Sequence, residues 1–390
     1  MNPVRWRATV LLSVASGLCS AQSFDTIGRS ETISEPEFDW VFVGTSLIDV
    51  TDDRFLGLLS LGGTGLGAAP LRLSRDGSSI FVPETFRTRG NRGERTDTVT
   101  IFDTATLAVS GEIVIPPKRA LMSPVDGSTA MTDDGRLLAV YNLTPAQSIS
   151  VVDVDSRTFV GEIATPGCSL VFGAGDRRFF MICANGDVLN VELNADGTER
   201  SKARIQGFFD PGVDPIRENG ARFGDEWIFA SFEGLAHSLQ VSANGPEIGD
   251  SWPLLSDRDR RQSWRIAGSQ NLAVHQATGR LYSLVRQSEE PLDDPADFDG
   301  TEIWVYDLAT RQRVDRFEAV PDREDSGGGG GLGGSTGDGA AGIIVTQGDN
   351  PLLVTVGGGG VSVRNAMSGE YLHETLERAP GEGRLALRVR

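Results

Sequence analysis

Cys168 and Cys183 are the side chains whose type and spacing point most directly to chemistry. Lying fifteen residues apart on either side of Gly175-Asp176, they suit a disulfide between two neighbouring strands joined by a turn. Metal binding by this pair would require further soft ligands, and none lies near them in the sequence. His237, His275 and His373 fall in different repeats without the short paired spacing of zinc or copper ligands, so no metal site is expected. Cys-x-x-Cys-His, the haem-attachment motif, is absent from the sequence. Gly333-Gly334-Ser335-Thr336-Gly337 matches the nucleophile elbow only formally, because that motif requires a preceding strand and a following helix. The same glycine run lacks the Lys-Ser/Thr ending of a phosphate-binding loop. Glu289-Glu290 and Asp293-Asp294 read as solvated loop charges. No acid, base and nucleophile come together, so no catalytic residue is expected in this chain, which reads as a scaffold.

The 390 residues carry 54 acidic and 36 basic side chains, a formal charge of −18. Such a surface repels phosphate backbones and argues against a nucleic-acid partner. Residues 1–21 read as a cleavable signal peptide: Arg5 and Arg7, an apolar stretch from Ala8 to Leu18, then small Ser20 and Ala21 before Gln22. A lipoprotein anchor at Cys19 is the competing reading, opposed by bulky Leu18 immediately before it. The apolar run is too short for a mature membrane span, and no membrane association is expected. Export to an oxidising compartment supports the Cys168–Cys183 bridge, and loss of the two arginines takes the charge from −18 to about −20.

The elements that must position these residues repeat along the chain. An alternating run ending in Asp or a turn residue occurs at Val99 to Asp103, Ile149 to Asp153 and Ile303 to Asp307. Weaker copies occur at Val41 to Asp49, Val188 to Leu193, His237 to Val241 and Val361 to Asn365. Between them lie hairpin turns at Asp76-Gly77, Asp134-Gly135, Gly175-Asp176, Gly224-Asp225, Thr278-Gly279 and Gly348-Asp349. Two hairpins in about 50 residues make a four-stranded antiparallel blade, and seven recurrences predict an all-β, seven-bladed β-propeller over 22–390. Leu385 to Val389 are expected to pair with strands near the mature N-terminus and close the ring. No sustained helical periodicity with caps is visible. The glycine-rich stretch 326–342 reads as a flexible insertion, with strand patterning resuming at Ile343.

Three stretches carry a family resemblance. Arg92-Gly93-Glu94-Arg95-Thr96-Asp97, leading into Val99 to Asp103, resembles a segment of amine dehydrogenase heavy chains. Trp264-Arg265, Gly268, Gln270, Ala273 and His275 resemble a second. Cys168, Phe172, Phe179-Phe180-Met181 and Cys183 resemble the family's cysteine-bracketed hairpin. The chain is thus similar to the heavy subunit of methylamine and aromatic amine dehydrogenases, which implies a seven-bladed propeller without a cofactor of its own. It further implies a periplasmic heterotetramer of two heavy and two light chains. The light chain would hold tryptophan tryptophylquinone, primary amines would become aldehyde and ammonia, and electrons would pass to a blue-copper protein. Trp40, Trp227, Trp252, Trp264 and Trp304 read as blade packing.

Where the family has an aromatic-bearing loop beside the substrate channel, this chain has Gly62-Gly63-Thr64-Gly65-Leu66-Gly67. Thr64 and Leu66 either line a wider channel or belong to an ordinary inter-blade loop. Arg92, Glu94, Arg95 and Asp97 form either an ion-pair network between blades or a subunit contact. Trp264 and Arg265 are expected to stack as cation on ring. A binding propeller that lost its light chain is the alternative reading of function, since fold alone does not fix it. A self-sufficient hydrolase is a third.

Overall fold

Short apolar runs separated by Asp- and Gly-bearing turns fold into strands and almost nothing else. The computed structural model describes residues 32–33, 39–62, 71–121, 125–217, 219–289, 298–320, 339–357, 360–375 and, in backbone only, 386–388. Residues 1–21, Thr64, Leu66, Glu290, Asp293-Asp294, Gly333 to Gly337 and residues 326–338 lie outside these. Ile33 to Arg390 belong to one structural unit.

The strands form seven antiparallel sheets, each predominantly four-stranded, arranged as the blades of a propeller. The second blade, from its innermost strand outward, is Arg72–Leu73, Ser79–Arg89, Arg92–Asp103 and Val109–Ile115. The fourth is Cys168–Gly173, Arg178–Cys183, Val188–Leu193 and Glu199–Ile205. In the first blade the innermost strand comes from the other end of the chain, because Ala386–Arg388 pair antiparallel with Trp40–Val43. This is the closure expected from the sequence. It also explains why the seven alternating runs accompany only six inner hairpin turns: the first blade has no such turn to make.

Each run ends in the third strand of its blade, and where its last residue is Asp or Asn that side chain has a local task. The Asp103 and Asp307 carboxylates accept the amide and hydroxyl of Thr106 and Thr310, and Asp153 accepts the amide of Ser156. Asp49 takes the amides of Thr51 and Asp52, and the Asn365 side chain takes those of Met367 and Ser368. Four residues after each capping side chain the backbone turns left-handed, at Asp53, Leu107, Arg157, Arg311 and Gly369. The side-chain cap holds a tight turn in which four non-glycine residues adopt an otherwise unfavourable conformation.

Both faces of each sheet are covered by the neighbouring blades. Seven apolar clusters follow, one at each blade–blade junction. Middle strands such as Leu137–Asn142 and Ser148–Asp153 are therefore buried at every residue, polar ones included. Outer strands such as Glu199–Ile205 face solvent. Alternation along the middle strands thus marks which junction a residue serves rather than inside against outside.

Two boundaries differ from the sequence expectation. A five-residue helix, Asp257–Arg261, is present, built by a capping box between Ser256 and Asp259 rather than by apolar periodicity. The strand of the seventh blade begins at Ala340, not Ile343. Ala340 and Gly300 exchange backbone hydrogen bonds of 2.7 and 2.8 Å, and the small residues allow that close approach.

Cys168 and Cys183 face each other across the first hairpin of the fourth blade and are joined as a disulfide. Replacing both by Ala should cost about 3 kcal/mol, the chain-entropy value for a loop of this size. Urea unfolding of the double variant, beside the wild type with and without reductant, measures it. A difference near zero would place the stability of this hairpin in its packing alone.

Candidate functional site

Antiparallel order within a blade sends its connections alternately to two faces of the ring. First-to-second and third-to-fourth turns share one face, and none of them exceeds six residues. All longer connections leave the opposite face, among them 59–71, 116–128, 206–220, 249–263, 288–301 and 319–339. Loops carry variable function on a rigid scaffold, which makes this long-loop face the candidate site. Both Gly62, the described residue of the Gly62 to Gly67 stretch, and the Arg92 to Asp97 segment belong to it.

Asp97 is fully buried at the base of the second-to-third hairpin of the second blade. Its two carboxylate oxygens receive Arg95 Nε and Nη2, both at 2.7 Å. The same carboxylate accepts the Thr85 hydroxyl at 2.9 Å and the Arg119 amide at 2.9 Å. Arg95 also donates to the Arg119 carbonyl at 2.6 Å, and Arg119 Nε donates to Thr85 at 3.1 Å. Arg119 comes from the connection to the third blade, where its backbone bridges to Asn142. Burial pushes the Arg119 guanidinium down to about 10; Asp97 opposes that shift, Arg95 adds to it, and Glu84 opposes it. Arg95 and Asp97 thus clasp two blades together, and Arg119 is the member that sequence reasoning missed. An arginine outside any motif gives no signal of such a role.

Glu84, also buried, accepts the Gly62 amide at 2.7 Å. A side chain at Gly62 would meet the Phe86 ring at 2.4 Å, so glycine lets the backbone lie on that ring. The start of the Gly62 to Gly67 stretch is therefore tied to the strand facing Arg95 and Asp97, and two of the sequence candidates meet here. Arg92 and Glu94 stand apart from the clasp, exposed at the hairpin tip.

Trp264 and Arg265 lie in the sixth blade. The cation over the Trp264 ring is Arg316, at 4.9 Å, not Arg265. Neighbouring residues of a strand point to opposite sides, so Arg265 is turned away and donates instead to the carbonyls of Trp264 and Arg260. Trp264 packs on Trp304 with ring centroids 5.1 Å apart, and Arg313 covers Trp304 at 3.9 Å. Arg316 also forks onto Glu302 at 2.7–2.9 Å. Arg313 is held 3.2 Å from Asp259 in turn.

Asp259 joins this cluster to the helix cap. Burial pushes its carboxyl upward, but hydrogen bonds from the Ser256 hydroxyl and amide and the charge of Arg313 outweigh that, leaving it below the ordinary 3.8. A carboxyl depressed in the folded state stabilises above its unfolded value and loses that contribution as pH falls through the folded one. Asp259→Asn should therefore cost about 1 kcal/mol at neutral pH, the typical worth of a cap. That difference should shrink steadily below about pH 4. Paired unfolding curves across that range check it; a constant difference would mean that the carboxylate charge plays no part.

A cleft of about 590 Å³ opens beside the fourth and fifth blades, lined by Asn185, Phe208, Asp210, His237 and Ser251 among others. His237 Nδ1 lies 3.1 Å from the Ser251 hydroxyl. Burial holds its imidazole below 6.5, and Asp214 pulls the other way. Among the described residues no group of three or more His, Cys, Asp or Glu side chains is placed to hold a metal ion. Among the same residues no helix is long and apolar enough to cross a membrane.

The sequence model of the methylamine dehydrogenase heavy chain family matches residues 31–381. The heavy chain from Paracoccus versutus is 27% identical over 361 residues, covering 90% of this chain and 78% of that one. Those from Methylophilus methylotrophus and Methylobacillus flagellatus are 25% and 23% identical, covering 70% and 80% of this chain and 67% and 73% of theirs. Among solved structures, dihydro-heme d1 dehydrogenase NirN in complex with DHE matches with a TM-score of 0.51 at 15% identity. It covers 91% of this chain and 78% of that one, a likeness of fold alone.

Proposed function

Because this chain belongs to the methylamine dehydrogenase heavy chain family, we propose that it is the heavy subunit of a periplasmic amine dehydrogenase. In this reading two copies hold two small, quinone-bearing light chains. The assembly oxidises primary amines to aldehyde and ammonia and hands the electrons to a blue-copper protein. The family match over nearly the whole propeller carries the proposal. The division of labour fits the placement of the tryptophans: Trp40, Trp252, Trp264 and Trp304 are all buried in blade packing. They are thus committed to the ring rather than available as a cofactor.

The long-loop face is the proposed docking side, with Thr64 and Leu66 beside the substrate path. The buried Asp97 clasp would then act as a positioning element, fixing the strand to which Gly62 is tied. The tryptophan tryptophylquinone, supplied by the partner, would provide the redox chemistry, and this chain would bind and orient that partner.

Purification of the native protein from periplasm tests this. A second, small, cysteine-rich polypeptide is expected in equal amount, with a visible quinone absorbance that bleaches on adding amine. A lone chain without such absorbance would instead favour a stand-alone binding propeller.

A further inference from the structure

The hairpin that carries the clasp continues well past it. Its strands, Ser79–Arg89 and Arg92–Asp103, run eleven and twelve residues, against six for the corresponding Leu137–Asn142 and Ser148–Asp153 of the third blade. Five extra residues at about 3.3 Å each carry the tip roughly 16 Å beyond the blade. Arg89, Arg92 and Glu94 are exposed there, and Arg87 is half-buried. Among the described residues no carboxylate pairs with Arg87, Arg89 or Arg92. Counting Glu94, the segment 86–94 has a net charge of +2, in a chain whose total is −18 and whose remainder is therefore −20.

The pairing within this hairpin works against its own stability. Arg87 lies opposite Arg95, and Arg89 opposite Arg92, across the two strands. Like charges directly opposite each other destabilise a sheet. Arg95 is neutralised by Asp97, whereas Arg89 and Arg92 have no such compensation among the described residues. A hairpin selected for folding alone would not concentrate cations in this register.

We infer that this tip is a docking finger for the carboxylate-rich surface of another soluble protein, engaged transiently. At physiological salt the screening length is about 8 Å, so a tip roughly 16 Å out is largely shielded from the acidic body behind it. An acidic globular partner can therefore meet the cations without meeting the −20. An anionic membrane or a nucleic-acid duplex is extended and would encounter the body as well. Three cations also fall short of the roughly 6–10 phosphate contacts that support nucleic-acid binding. Exposed arginines on long side chains give fast, salt-sensitive encounter rather than the large apolar interface of a permanent subunit. The finger thus suits a partner that comes and goes, and the inference rests on the tip standing clear of a light chain held on the same face.

The test uses the full protein as purified and labelled tetra-L-glutamate, short enough to lie on the tip without reaching the body, as the carboxylate probe, with duplex DNA and phosphatidylserine vesicles alongside. The peptide is expected to bind at low salt, about 100 mM, where the screening length is about 10 Å, and to weaken at least about tenfold by about 1 M, where it is about 3 Å. The combined Arg87→Gln, Arg89→Gln, Arg92→Gln variant should bind at least about tenfold more weakly at low salt, as loss of exposed ion pairs implies. Its melting temperature should equal or exceed that of the wild type, because cross-strand repulsion is relieved. Equal binding by the variant, or no binding at low salt, would overturn the inference. So would tighter arginine-dependent binding to DNA or vesicles, or a variant that melts several degrees lower.

Discussion

Asp97→Asn should lower the unfolding free energy by about 3–5 kcal/mol, the usual cost of removing one partner from a buried ion pair. The substitution keeps the shape of the side chain and removes only its charge. Arg95 then loses a two-pronged carboxylate partner, and Arg119, about 5% exposed, is left with Glu84 as its remaining opposing charge. The Thr85 hydroxyl and the Arg119 amide lose a charged acceptor at the same time. Urea unfolding gives the value directly. Glu94→Gln, three residues away on the same strand but exposed at the tip, should stay within about 0.5 kcal/mol. If the two variants unfolded alike, the clasp would be a surface feature and not the joint between the second and third blades.

Trp304→Ala should cost a similar 3–5 kcal/mol, for a different reason. Its side chain is fully buried at the junction of the fifth and sixth blades. Its removal loses the transfer energy of a large side chain and leaves a cavity that rigid strands cannot close. It also strips Arg313 and Arg316 of the ring beneath them and Glu302 of the indole donor. Trp304→Phe keeps a face for the guanidiniums and should recover more than half of the loss. Thermal melts of the two variants separate these effects. Equal destabilisation by Ala and Phe would assign the whole cost to the indole hydrogen bond.

The fold was legible because its repeat is written in local chemistry. Asp103, Asp153 and Asp307 mark third strands since each caps the turn that follows with its own carboxylate, a contact spanning three residues. Gly77 and Gly135 mark inner hairpins because their backbones turn left-handed. Cys168 and Cys183 could be paired because they are the two cysteines beyond the N-terminal segment and a single turn separates them. What escaped the sequence depends on residues far apart in the chain. Arg119 joins Asp97 across 22 positions, and Arg316 rather than adjacent Arg265 covers Trp264, because strand geometry turns neighbours to opposite sides. Phe86 attracted no notice in sequence because it belongs to no motif, yet it supports the backbone of Gly62. The helix at Asp257–Arg261 is too short for periodicity to show and is built by its cap.

The candidate site was legible only to the extent that its parts carry family words. Arg92, Glu94, Arg95 and Asp97 share one motif, yet the fold divides them. Arg95 and Asp97 are drawn into the clasp, while Arg92 and Glu94 are carried to the tip. Sequence spacing could not separate these fates, since the division depends on where the blade ends and the hairpin projects.

The central claim is that this ring holds a separate polypeptide on which the redox chemistry occurs. Amine-dependent reduction of an artificial electron acceptor, measured first with the isolated chain and then with the native complex, tests it most directly. No turnover by the chain alone and turnover by the complex is the expected result. Sustained amine oxidation by the purified chain, with no second polypeptide present, would contradict it.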